Sequence, residues 1–162
     1  MPATPLNPAE RFSALSGLQI VFIPVIAAAT FVPTRPEIDA GTDLTSEVMD
    51  WNGFTTKSST FDTPDLTRFV GKIPGKIESE DSSLMMYLDR SGDDVRTVLP
   101  RDTIGFFGFM DAGDVAAALM DIYPIQVTTF AKVRKMDAAT VANVEVVITR
   151  IPIEDVVIPA AA

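Results

Sequence analysis

The residues able to do chemistry in this chain are mostly carboxylates: 22 Asp and Glu stand against 13 Lys and Arg, with no cysteine and no histidine. Their absence removes disulfides, thiolate and imidazole metal sites, the cysteine nucleophile and the commonest general base. The densest acidic stretch is Glu78-Ser79-Glu80-Asp81. Such oxygen-rich groups suit Ca²⁺ or Mg²⁺, but nothing around them completes a coordination loop, and a solvated turn accounts for them. Asp89 to Asp94 resembles a calcium loop only loosely. Gly92 falls two places early and Pro100 stands where a bidentate acid belongs, so a turn followed by a helix N-cap is the better account. Two carboxylates suffice for glycoside hydrolysis, yet no pair is marked out. Gly105-Phe106-Phe107-Gly108 lacks the Lys and Ser/Thr of a phosphate loop, and there is no serine elbow or nucleotide fingerprint. No catalytic, cofactor-binding or metal-binding residue is therefore assigned, and the chain is not expected to be an enzyme.

Charge and hydropathy say more. The net charge is −9 while mean hydropathy is +0.24. The acids are spread evenly: residues 1–81 hold eleven against six bases, and residues 82–162 hold eleven against seven. A negative field repels phosphate backbones and disfavours tight nucleic-acid binding. The same field would suit a channel that passes DNA without gripping it. Apolar excess with a single-sign surface fits a homo-oligomer with apolar interfaces, and equally a lone domain with an enlarged core.

The elements read as strands. Leu18 to Val32 is too short to span a membrane and carries Pro24 in its middle, and only Arg11 precedes it as a signal-peptide base. It is a first strand through Ile20 and Phe22. Ahead of it, Asn7-Pro8 with Glu10 spells a short helix start inside an arm over residues 1–17. Residues 29–45 form a loop with one helical turn at most. Further strands are expected over 47–57 (anchored by Trp51 and Phe54), 83–89, 103–110, 120–133, 140–150 and 153–158, with weaker signals at 66–70 and 75–78. A turn is expected over 58–64, a short helix over 93–99, and a turn or short helix over 111–119. Gly105 and Gly108 would let backbones approach closely. The architecture is mainly β, a sandwich or barrel-like domain over 18–159 with a short flanking α-helix and an N-terminal arm.

The longest pair, 120–133 with 140–150, has two faces by strict alternation. Val127, Thr129, Val133, Val144, Val146 and Ile148 suit a core. Gln126, Thr128, Lys132, Arg134, Asn143 and Glu145 suit water. The single basic cluster, Lys132, Arg134 and Lys135, lies at the hairpin tip, either in solvent or against acids of a neighbouring copy.

The order of motifs carries a resemblance. Gln19 to Val25 is followed by Pro36-Glu-Ile-Asp-Ala-Gly41-Thr-Asp-Leu44, then Trp51-Asn-Gly-Phe54, Pro64 to Thr67 and Lys72 to Gly75. Met86-Tyr-Leu-Asp-Arg90-Ser-Gly-Asp93 comes next, and Asp121-Ile-Tyr-Pro-Ile-Gln-Val127 late in the chain. Over roughly residues 18–159 this resembles the tail tube proteins of long-tailed, non-contractile phages, those of actinobacteria among them. The resemblance implies a virion structural subunit that assembles in the host cytoplasm and works in the tail. It implies rings of six copies whose inner sheets join into one barrel, stacked into a tube and bridged by loops and arms. The partners it implies are the chain itself, a tape measure protein, and a tail terminator or baseplate, with DNA as transient cargo and no membrane or cofactor. In that frame Gln126, Thr128, Lys132, Arg134, Asn143 and Glu145 are candidates to face the lumen, although the two bases among them, Lys132 and Arg134, sit awkwardly beside DNA. A β-sandwich module binding carbohydrate or a receptor is the alternative. It would need exposed aromatics on one face, and the chain has one tryptophan and two tyrosines.

Overall fold

A computed structural model of the chain describes residues 6–161, so the first five residues of the expected arm lie outside the described residues. The architecture is mainly β, as the alternation implies. The strands are β1 (Gln19–Ile23), β2 (Thr42–Asp43), β3 (Val48–Asn52), β4 (Thr56–Thr63), β5 (Gly71–Ser79), β6 (Ser82–Tyr87), β7 (Ile104–Met110), β8 (Leu119–Val133), β9 (Val141–Ile148) and β10 (Ile153–Val157). Two short helices interrupt them, α1 (Arg35–Asp39) and α2 (Val95–Val98).

Eight strands form one antiparallel sheet in the order β2-β1-β7-β8-β9-β6-β3, with β10 also paired to β8. The long strand β8 belongs to both halves. Its first half pairs with β7 and β10, and its second half pairs with β9. The sheet curls about β8, and its halves face each other as the layers of a sandwich. Ile20, Phe22, Phe107 and Tyr123 from one half meet Leu84, Met86, Val144 and Val146 from the other, all buried. Phe54 packs edge-on against Phe107 and Tyr123, at 6.0 and 5.4 Å between ring centroids. A second core covers the outside of the β1–β7–β8 half, where Ile38 of α1 and Val156 of β10 bury Ile23, Met110 and Ile122.

Local signals explain most boundaries. Thr34 and Glu37 form a capping box on α1, with Glu37 Oε2 accepting from Thr34 N and Thr34 Oγ1 at 2.7 and 2.9 Å. Asp94 caps α2, accepting from Arg96 N at 2.9 Å and from Asp89 N at 2.7 Å. The turn-plus-cap reading of residues 89–94 therefore holds. Gly105 lies under the Phe22 ring, which a Cβ there would strike at 2.5 Å. At Gly108 a Cβ would meet only ordinary contacts, so close approach explains the first glycine and not the second.

Three expectations are corrected. The expected helix start at Asn7-Pro8 is irregular chain, followed by a 3₁₀ turn at Ala14–Ser16. Residues 6–15 are exposed, and so short a helix without packing is marginal in water. The strand expected over 47–57 breaks at Gly53 and Phe54, where φ is +82° and +57°. The break drives Phe54 into the core while Trp51 stays 39% exposed on β3. The turn expected over 58–64 is instead β4, paired with β5 in a separate two-stranded hairpin. Every residue of β4 is exposed, so no buried face imprinted an alternation that the sequence could reveal.

Candidate functional site: an unpaired sheet face and its free edges

The second half of β8 with β9, β6 and β3 forms a four-stranded stretch packed on one side only. Cross-strand partners share a face. Leu84 pairs with Val144 and Met86 with Ala142, all in the core. Ser83, Met85 and Tyr87 therefore point the other way, together with their partners Glu145, Asn143 and Val141. Asp50 and Asn52 of β3 join them opposite Met85 and Ser83. Among the described residues, no strand or helix covers this face.

A register shift between Val127 and Thr129 decides what β8 adds. Beyond it, Thr129 pairs with Glu145, Ala131 with Asn143 and Val133 with Val141, all on the bare face. Phe130 pairs with Val144, and Lys132 with the buried Ala142, on the core side. A β-bulge adds one residue and inverts the alternation downstream of it. Strict alternation thus misplaced half of the strand. Of the six residues expected to share a water-facing side, Gln126 (opposite Val147), Asn143 and Glu145 do so, and Thr128 in the bulge lines the same recess as Glu145. Lys132 and Arg134 do not. They line a cavity of about 530 Å³ on the other side of the sheet, with Arg90 and Arg96. Thr129 and Val133, expected in the core, belong to the bare face. Nothing in the sequence marks Thr128 as a bulge, because it carries neither Gly nor Pro.

The shift changes the electrostatics. Within its strands the bare face carries two charged side chains, Asp50 and Glu145, both acidic. Lys135, past the end of β8, reaches only its border. Glu145 Oε1 accepts from Asn143 Nδ2 at 3.4 Å, and Glu145 O accepts from Thr128 Oγ1 at 3.1 Å. Asp81 borders the same recess as Glu145, a space of about 380 Å³.

The edges of the stretch are open. β3 ends the strand order, and β7 accompanies β8 only as far as Gln126. Val127 closes that ladder, its N–H donating to Thr103 O and its carbonyl accepting from Asp102 N, each at 2.9 Å. Among the described residues, nothing pairs with β8 beyond this point on that side, nor with the outer edge of β3. Unpaired strand edges invite pairing with another chain.

The chemistry-bearing clusters have structural partners. Glu80 forms an ion pair with Lys57 and accepts from Thr55 Oγ1 at 2.7 Å, which hold its carboxyl below the ordinary range. Arg96, bonding to both carboxylate oxygens of Asp94, holds that acid far below the ordinary range. Arg35 is raised by hydrogen bonds to Asp114 and Asp39. Burial pushes the Tyr123 hydroxyl up to about 12, inside the cluster with Phe54 and Phe109. Among the described residues no three acidic side chains converge on a site sized for a metal ion, and no helix is long and apolar enough to cross a membrane. The exposed aromatics are scattered: Phe12 on the arm, Phe61 and Phe69 on the β4–β5 hairpin, Trp51 on β3 and Tyr87 on β6. They do not make the single platform that a sugar-binding module needs.

Comparison with known proteins agrees with this picture. No curated protein matches the chain. A family model described as phage tail tube protein matches residues 6–161.

Proposed function

The chain belongs to the phage tail tube protein family, a structural family of the virion tail whose members assemble into a tube, and from that premise we propose that it forms stacked rings of six copies around a lumen that conducts DNA. In this reading residues 18–159 build the wall and residues 1–17 form an arm; the subunit has no catalytic role.

The observation that carries the proposal is a four-stranded stretch with two open edges, one bare face and an opposite face in the core. Edge-to-edge pairing of β3 with the second half of β8 in the next copy would satisfy both edges and continue the sheet. Six copies give a closed barrel wide enough for a DNA duplex. Four strands from each of six copies, spaced about 4.8 Å and tilted about 40°, make a barrel roughly 48 Å across at the backbone. Side chains narrow that to about 35–40 Å, which admits a DNA duplex, whereas three copies would leave roughly 13 Å.

The face turned inward is the bare one, with Gln126, Thr128, Asn143 and Glu145 from the first set of candidates and Asp50 from β3. With Lys132 and Arg134 on the other side, the wall within the strands is acidic, and it repels phosphates. The bases that sat awkwardly beside DNA are thereby moved into the wall. The tape measure, the terminator or baseplate, and assembly in the host cytoplasm follow from the same premise.

The double replacement Asp50→Lys with Glu145→Lys tests the conducting role. Tubes are expected to assemble, because both side chains are exposed, while DNA ejection slows roughly tenfold or more through phosphate capture, an effect that raised salt relieves. Ejection at the native rate from such tubes would remove these residues from the lumen.

A further inference from the structure

Lys132 and Arg134, moved off the bare face by the bulge, do not meet acids where they arrive. They share their recess of about 530 Å³ with Arg90 and Arg96, so four of the chain's 13 bases line one cavity. Among the described residues the one carboxylate in its lining is Asp89, whose Oδ1 already accepts from Ser91 N at 2.6 Å. The side chains of Arg90, Lys132 and Arg134 have no ion pair or hydrogen bond among the described residues. In a chain of net charge −9, unpaired positive charge gathered in this way repels itself until an anion joins it.

The fourth base is held in place. Arg96 donates from Nε and Nη2 to the two oxygens of Asp94, at 2.8 and 2.6 Å, and Nη2 also donates to Asp89 O. Its Nη1 keeps its donors. Gly92 lies beside this guanidinium, and a φ of +89° reserves the position for glycine. No side chain therefore covers that flank, where a Cβ would come 3.9 Å from Arg96 Cζ.

A fixed guanidinium with spare donors, joined by two further arginine and lysine side chains of β8 and by Arg90, matches an oxyanion of several charges. A phosphate group offers three acceptor oxygens to several bases at once, where a planar carboxylate offers two. The recess has no aromatic ring on which a nucleobase would stack. It also lies on the side of the sheet away from the bare face, so DNA in the lumen does not reach it.

We propose that this recess binds a small multivalent phosphate anion of the diphosphate class, which ties residues 89–96 to the β8–β9 turn. The site belongs to the single subunit and does not depend on the tube reading.

Calorimetric titration of the whole chain with pyrophosphate, in a phosphate-free buffer, should give one site per copy with Kd below about 1 mM. At about ten times that Kd the melting temperature should rise by about 3–6 °C, and potassium chloride of equal ionic strength should not reproduce the rise. The double variant Lys132→Gln with Arg134→Gln, both exposed, should fold like the parent and lose the binding heat and the rise together. Arg90→Gln alone should weaken binding roughly tenfold. An equal rise in the double variant would mark general salt exclusion and overturn the site. A parent that binds no pyrophosphate overturns it as well, as does preference for a DNA duplex over pyrophosphate. Self-association that is lost in the double variant, in place of pyrophosphate binding, would give the recess to acids of a second copy and also overturn the proposal.

Discussion

Lys132→Pro is expected to leave the subunit folded and to abolish tubes. Val127 gives its N–H and carbonyl to the β7 side, so it forms a non-hydrogen-bonded pair with Val146. Alternation carried across the bulge then makes Phe130–Val144 and Lys132–Ala142 pairs of the same kind, and turns the Lys132 N–H to the open edge. Proline there removes an outward donor and adds a ring where the next copy's β3 would lie, while the β8–β9 ladder keeps its bonds. Lys132→Ala, which loses the charge and keeps the N–H, should assemble. Sedimentation and negative-stain imaging of the three proteins read the result. Full-length tubes from the proline variant would show that this edge is not a subunit contact.

Phe107→Ala is expected to have the largest effect on stability. Phe107 is fully buried, with ring centroids of Phe22 and Phe54 each 6.0 Å away. Truncation leaves a cavity between the two halves of the sheet and should cost about 3–5 kcal/mol. Against a total of about 5–15 kcal/mol that is a large fraction, and the melting temperature should fall by roughly 10 °C. Denaturant unfolding measures it. A loss under about 1 kcal/mol would mean that the two layers do not meet at Phe107.

Both results depend on features that the sequence revealed unequally. The strands with one buried face were legible: β7, β8 and β9 appear where alternating Val, Ile and Phe placed them, and the acids at Asp93-Asp94 announced α2. The capping box at Thr34 and Glu37 was present but lay in a segment read mainly as loop. Two features were hidden for physical reasons. The β4–β5 hairpin buries nothing within its own copy, so β4 read as a turn; the weaker strand signal at 75–78 does fall in β5, while that at 66–70 falls in the connection between the two strands and is not a strand. The bulge at Thr128 is set by tertiary register, and its consequence is large, because it moves Lys132 and Arg134 off the bare face and Thr129 and Val133 onto it. Charge composition alone gave the acidic character of the surface. Only the register shows that the bare face keeps Asp50 and Glu145 and loses the bases.

The central claim is a closed ring built by edge pairing around the bare face. End-on averages from electron cryomicroscopy of the assembled chain test it most directly. The account expects six-fold symmetry, a continuous inner β-barrel of β8, β9, β6 and β3, and a lumen of about 35–40 Å lined by Asp50 and Glu145. A ring of another symmetry with a lumen too narrow for duplex DNA, or one with these four strands on its outer wall, would contradict it.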